Sequence, residues 1–140
     1  NAAVPYVMTS PVWDTADGGA GGDIVQLIDV PADTMIVAGC LEVLEARGNG
    51  QITMDIGFTG GDVDALLDGS ACAAGFSPFL EAAVGASGAN ARILTSADTI
   101  DALILDGGSS GESALRFRIH VVLADISRNP TESATVSTGT

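Results

Sequence analysis

The chain has 140 residues, five basic side chains against 18 acidic ones, and a net charge of −13. All five bases are arginine, too few to displace counterions from nucleic-acid phosphates or to settle on anionic lipid. Hydrophobic residues make up 46% and charged residues 16%, which excludes an intrinsically disordered chain, and no apolar run reaches the roughly 18 residues of a membrane-spanning helix.

Residues 1–13, NAAVPYVMTSPVW, carry no charged side chain and hold the only tyrosine, Tyr6, and the only tryptophan, Trp13. Pro5 and Pro11 exclude a helix and disfavour a central strand. The segment reads as an extended apolar arm or, equally, as an edge strand and loop lying over the chain's own core. Residues 14–126 are predicted to form a single domain. Residues 127–140 read as a polar tail with too little apolar surface to fold alone.

Asp14–Asp23 is a glycine-rich acidic loop. Ile24–Val30 is rich in β-branched residues and stops at Pro31, and Pro31–Thr34 makes a turn. Met35–Ala46 is apolar on both alternating faces. Met35, Val37, Leu41 and Val43 fall on one, and Ile36, Ala38, Cys40 and Leu44 on the other, which predicts a central strand. Arg47–Gly50 reads as a hairpin turn. Ile52, Met54, Ile56 and Phe58 then alternate with Gln51, Thr53, Asp55 and Gly57, the pattern of a half-buried strand. Asp62 is predicted to cap a short helix that Gly69 ends. Phe76–Val84 fits either helix or strand, and Gly85–Ala89 a loop. Arg92–Ser96 and Thr99–Leu105 read as a hairpin around Ala97 and Asp98, and Asp106–Glu112 as a flexible turn. Ala114–Ile126 is the longest predicted strand. It has Leu115, Phe117, Ile119, Val121 and Leu123 on one face and Arg116, Arg118 and His120 on the other. Strands separated by Gly/Asp turns, without intervening helices, predict an all-β antiparallel sandwich, jelly-roll-like, with an extended N-terminal arm.

The candidates for chemistry are few. His120 is the only histidine; it lies mid-strand between arginines, and no nucleophile motif accompanies it, so no catalytic residue is assigned. Cys40, Cys72 and His120 lack the spacing of a zinc site, and the two cysteines read as buried free thiols. Asp62, Asp64 and Asp68 are the weak candidates for a metal, with calcium the fitting ion. Leu66 and Ala73 stand where an EF-hand loop needs ligands, so a solvated acidic loop is the preferred reading, and no cofactor is expected. Arg116, Arg118 and His120 either pair with cross-strand aspartates or meet an acidic neighbouring subunit. Thirteen Asp against five Glu, with no lysine, fits a GC-rich genome or a salty environment.

The stretch Asp23–Gly69 resembles small virion proteins of tailed viruses, known as head decoration, cement or head-fibre proteins. The resemblance rests on an acidic-apolar strand before VPADT, a long strand ending in LEVLE, the TMDIG strand and the DALLDG segment, with an echo in Ala114–Asp125. It implies a jelly-roll-like sandwich, often trimeric, on the outer surface of an icosahedral capsid, with no catalytic residues. Its function would be to cement the shell by bridging subunits of the major capsid protein. On that reading Val4, Tyr6, Val7, Met8, Val12 and Trp13, with Arg116, Arg118 and His120, are the expected contacts to capsid or to further copies of the chain. The alternative is a carbohydrate- or surface-binding β-sandwich module of a virion fibre or a secreted adhesin.

Overall fold

The structure is a computed structural model that describes residues 4–14, 22–45, 53–79, 93–105 and 115–127. The described residues contain ten strands and no helix. The strands are β1 (Pro5–Thr9), β2 (Trp13–Asp14), β3 (Ile24–Val30), β4 (Thr34–Glu45), β5 (Thr53–Phe58), β6 (Leu67–Ala71), β7 (Gly75–Pro78), β8 (Ile93–Leu94), β9 (Asp98–Leu105) and β10 (Arg116–Asp125). They form two antiparallel sheets. The first has the order β1-β10-β4-β7, with β2 also on β10 and β8 also on β4; the second has the order β3-β9-β5-β6. One hydrophobic cluster draws on both sheets, so they face each other across a shared core.

β10 explains why this core forms. Leu115, Phe117, Ile119, Val121 and Leu123 repeat every second residue, and all five are fully buried. That period puts every apolar side chain of a strand on one face. Ile100, Ala102 and Ile104 of β9 answer from the second sheet. β3 ends at Pro31 as its composition predicts. The turn that follows is closed by Asp33 at φ 55°, a left-handed conformation that aspartate tolerates.

Four expectations are corrected. β4 is central, but its two faces do not keep one phase. Val122 pairs with Ala38 and Leu123 with Ile36, so Val37 is an extra residue, a β-bulge. The bulge moves the inward set from Thr34 and Ile36 to Leu41 and Val43. β5 is buried on both faces, because the 59–66 segment folds back over it. A Cβ on Gly57 would run into the backbone of Asp62 and Val63, and the buried Asp55 accepts a 2.7 Å hydrogen bond from the Gly69 amide. No helix follows Asp62: turns lead straight into β6, with Gly69 inside that strand at φ +61°. Finally, the two halves of the predicted 92–105 hairpin lie in different sheets, β8 on β4 and β9 between β3 and β5. Residues 47–50, 80–92, 106–112 and 128–140, where several turns and the tail were expected, lie outside the described residues.

Candidate functional site: the outer face and open edge of the first sheet

The basic side chains of β10 meet acids of the same chain. Arg118 donates from Nε to Glu42 Oε2 at 3.1 Å and from a terminal nitrogen to Oε1 at 3.0 Å, the two-pronged geometry a guanidinium favours with a carboxylate. His120 Nε2 lies 3.0 Å from Glu42 Oε2 and its Nδ1 lies 2.8 Å from Thr9 Oγ1. A carboxylate only accepts, so Nε2 carries the proton, and in the neutral ring Nδ1 accepts from the Thr9 hydroxyl. Arg116 approaches Asp14 at 3.6 Å. Register makes these meetings possible: Arg118 pairs with Glu42 across β4, and His120 pairs with Thr9 across β1. The hydrogen bonds from Arg118, then from His120, hold the Glu42 carboxyl below its ordinary range. Glu42 in turn holds the Arg118 guanidinium above its ordinary value. Nearby, burial and then the Glu42 charge push the Cys40 thiol up, against a lowering backbone hydrogen bond at His120. Cys40 and Cys72 are not joined in a disulfide; Cys72 is buried and Cys40 half-buried.

Thr9, His120 and Glu42 form a hydroxyl–imidazole–carboxylate line, yet the carboxylate is shared with a bidentate arginine. What the line does on this face is tie three strands together: β1 through Thr9, β10 through His120 and Arg118, and β4 through Glu42. Glu42 and Thr9 were not singled out in the sequence. The available signal was a lone acid inside the apolar run of β4, opposite the arginines of β10.

Pro5–Thr9 is an edge strand. It pairs with β10 from Pro5↔Ala124 to Thr9↔His120 without a register shift. Ser10 extends the pairing: its amide donates to the Ile119 carbonyl, and its hydroxyl accepts from the Ile119 amide, both at 2.9 Å. Trp13 is half-buried, with its ring 5.4 Å from that of Phe117. The remaining apolar side chains of the segment stay in contact with solvent. Val4 is 77% exposed, Val7 70%, and Tyr6, Met8 and Val12 each more than a third. So the structure brings Tyr6, Val7, Met8, Arg116, Arg118 and His120 onto one strand pair, with Val4 and Val12 just beyond its ends. Phe76 on β7, at the opposite edge, is 69% exposed and was not anticipated.

The acidic loop is a separate feature. Asp64 is held above its usual range by a hydrogen bond with Asp62, then by burial and by the charges of Asp62 and Asp68. Among the described residues, no three His, Cys, Asp or Glu side chains converge to hold a metal ion. A cleft of about 450 Å³ opens on the second sheet, lined by Gln26, Asp29, Val30, Pro31, Thr59, Ala97, Asp98 and Thr99. Behind it lies Asp101, 4% exposed. Neither of its carboxylate oxygens meets a donor in good hydrogen-bond geometry. Burial pushes its pKa up and the charge of Asp98 adds to this; Thr99 and Thr59 offset it only in part.

The fold so described belongs to the class of all-β, two-sheet antiparallel chains. Three solved structures that match it are of phage capsids. The chain aligns with one from the capsid of Ralstonia phage GP4 at 18% identity and a TM-score of 0.62, covering 86% of this chain and 84% of that one. It aligns with one from the capsid asymmetric unit of cyanophage Pam1 at 12% identity and 0.62, covering 87% and 85%. A third, from the acidic stable capsid of Helicobacter pylori bacteriophage KHP30, matches at 12% identity and 0.55, covering 86% and 87%. At these identities the likeness establishes a shared fold. No protein-family model matches the sequence, and no curated protein matches it significantly.

Proposed function

We propose that this chain is a structural protein of a phage-type virion, and within it a decoration or cement protein on the outer capsid surface, bridging subunits of the major capsid protein. The observation that carries the reading is the three-fold structural match to capsid chains over nearly the whole length of both partners. Coverage that complete means those chains are of comparable size, so the match is chain to chain and not to one domain of a larger protein. The strand order supports a jelly roll. Taking the eight longer strands in sequence, the sheets read first-eighth-third-sixth and second-seventh-fourth-fifth, the order of two interlocked Greek keys. The outer face of the first sheet also fits a structural part better than a catalytic one: Arg116, Arg118 and His120 are matched by Asp14 and Glu42 of the same chain, while the apolar side chains beside them are left in water. Such an apolar margin is a contact surface, and Val4, Tyr6, Val7, Met8 and Val12 are the residues that would be buried on assembly. Mechanically, each copy would resist internal genome pressure by adding buried interface across a subunit boundary. Incubating capsids stripped of the chain with the recombinant protein tests this. Rebinding at fixed stoichiometry with a higher capsid melting temperature is expected; no binding to stripped capsids would contradict it.

A further inference from the structure

β1 is the least protected of the four outermost strands. β3 breaks its ladder with a register shift between Gln26 and Ile28 and carries Asp29. β6 has an irregular register on β5, an aspartate at 68 and a left-handed Gly69. β7 is four residues long, opening on a left-handed Gly75 and closing on Pro78. Short strands, bulges, charges and prolines are how sheets discourage pairing edge to edge. β1 has an unbroken register, no charged side chain and a single proline at its start. Among the described residues no strand pairs with its outer side.

The direction of its backbone groups follows from the ladder. Ser10 exchanges bonds with Ile119, and alternation then turns Met8 and Tyr6 toward β10 as well. The amides of Val7 and Thr9, and the carbonyls of Pro5, Val7 and Thr9, therefore point away from the sheet. Side chains alternate with them. Tyr6 and Met8 share the core face with Leu123 and Val121, yet each remains more than a third exposed at the rim.

We propose that two copies of this chain associate through β1, antiparallel about a twofold axis at Val7, so that their first sheets become one continuous sheet. In that register Val7 lies opposite the partner's Val7, Pro5 opposite the partner's Thr9, and Tyr6 opposite the partner's Met8. The outward amides of Val7 and Thr9 donate to the partner's Val7 and Pro5 carbonyls, so every outward amide of the strand finds an acceptor. The exposed valines cover one another, and each tyrosine ring packs on a thioether, a favourable contact. A second copy is favoured as the occupant because the strand is complementary to itself: a twofold contact needs the same patch to satisfy both sides, and here donor meets acceptor and apolar meets apolar. The strand also carries none of the acids of a chain with net charge −13, so like charges are not forced together at the contact. The association belongs to the purified chain and does not depend on the virion reading.

Sedimentation equilibrium of the full chain in about 0.5 M salt, where surface repulsion is screened, is the test. A dimer is expected. Val7→Asp sets two like charges opposite each other, which destabilises strand pairing, and is expected to weaken the dimer by about tenfold or more. Val7→Pro removes an amide that β10 does not use and is expected to act similarly, while Phe76→Asp on the opposite edge leaves the dimer intact. As a check independent of these variants, Val7→Cys in a Cys40→Ser background should cross-link to a homodimer on mild oxidation. A monomer at about 0.1 mM, well above the micromolar range of a specific contact, overturns the proposal. So does a dimer that survives both Val7 variants, an oligomer broken by Phe76→Asp, or a Val7→Cys protein that does not cross-link.

Discussion

Phe117 joins the core to the N-terminal segment: fully buried itself, it sits against the half-buried ring of Trp13 at a 50° tilt. Phe117→Ala is expected to cost about 3–5 kcal/mol, the range for emptying an aromatic site in a packed core. A denaturant titration giving less than about 1 kcal/mol would mean that the faces of β10 are reversed. Two acids make opposite predictions for pH. Asp101 has its pKa raised by burial, so its contribution favours folding below the ordinary carboxylate range and is lost as pH rises through the folded value. Asp101→Asn, which removes the buried charge but keeps a polar group of the same shape, is therefore expected to raise the melting temperature near pH 7 and to change it little once the wild-type acid is protonated. Glu42 has its pKa lowered by Arg118 and His120, so its contribution is present above the ordinary range and lost as pH falls through the folded value. Glu42→Gln is expected to lower the melting temperature at neutral pH and to converge on wild type in strong acid. Melting curves from acid to neutral pH for both variants check the two signs. The basic trio was legible in the sequence as one strand face. Its main partner was not: cross-strand aspartates were expected, and a glutamate inside the apolar run of β4 serves Arg118 and His120, because register, not composition, decides who faces whom.

Strands were readable where one period ran unbroken. β10 follows such a period closely, whereas β3, whose ladder shifts between Gln26 and Ile28, was legible from its β-branched residues and the stop at Pro31 instead. β4 was harder. With both faces apolar, a one-residue slip at Val37 leaves no mark in composition, and only the register with β10 reveals it. β8 and β9 were legible as extended segments but not as members of different sheets, because local sequence does not say which sheet a strand joins. Gly39 shows how tightly the bulged stretch is packed: a Cβ there would strike the Phe79 ring and come within 2.8 Å of the His120 carbonyl. Gly39→Ala is expected to destabilise by about 1–3 kcal/mol through overpacking, read as a fall in melting temperature. β1 alters what truncation can show. Deleting residues 1–12 removes a strand and the Ser10 hydroxyl that accepts from the Ile119 amide, so the shortened chain is expected to lose stability as well as any binding. Substitutions at the exposed Val4 and Val7 separate the two effects, since neither side chain supports the core.

A net charge of −13 on 140 residues means that copies of this chain, and acidic surfaces in general, repel it at low ionic strength. If attachment rests on the apolar margin of the first sheet, binding is expected to strengthen as salt rises and the Debye length falls toward about 3 Å near 1 M. Release by high salt would move the contact to Arg116 and Arg118. The all-β class was legible from turn spacing and the lack of helical segments, and Asp23–Gly69 already resembled small virion proteins; the likeness to solved capsid chains is one of fold, which survives at 12–18% identity because many sequences fill the same two-layer core. Electron cryo-microscopy of the virion proposed to carry this chain tests the central claim most directly. The account predicts density for the two-sheet fold on the outer capsid surface, in regular stoichiometry with the major capsid protein and seated across a boundary between its subunits. A particle whose outer surface lacks that density, or a chain found only apart from virions, would contradict it.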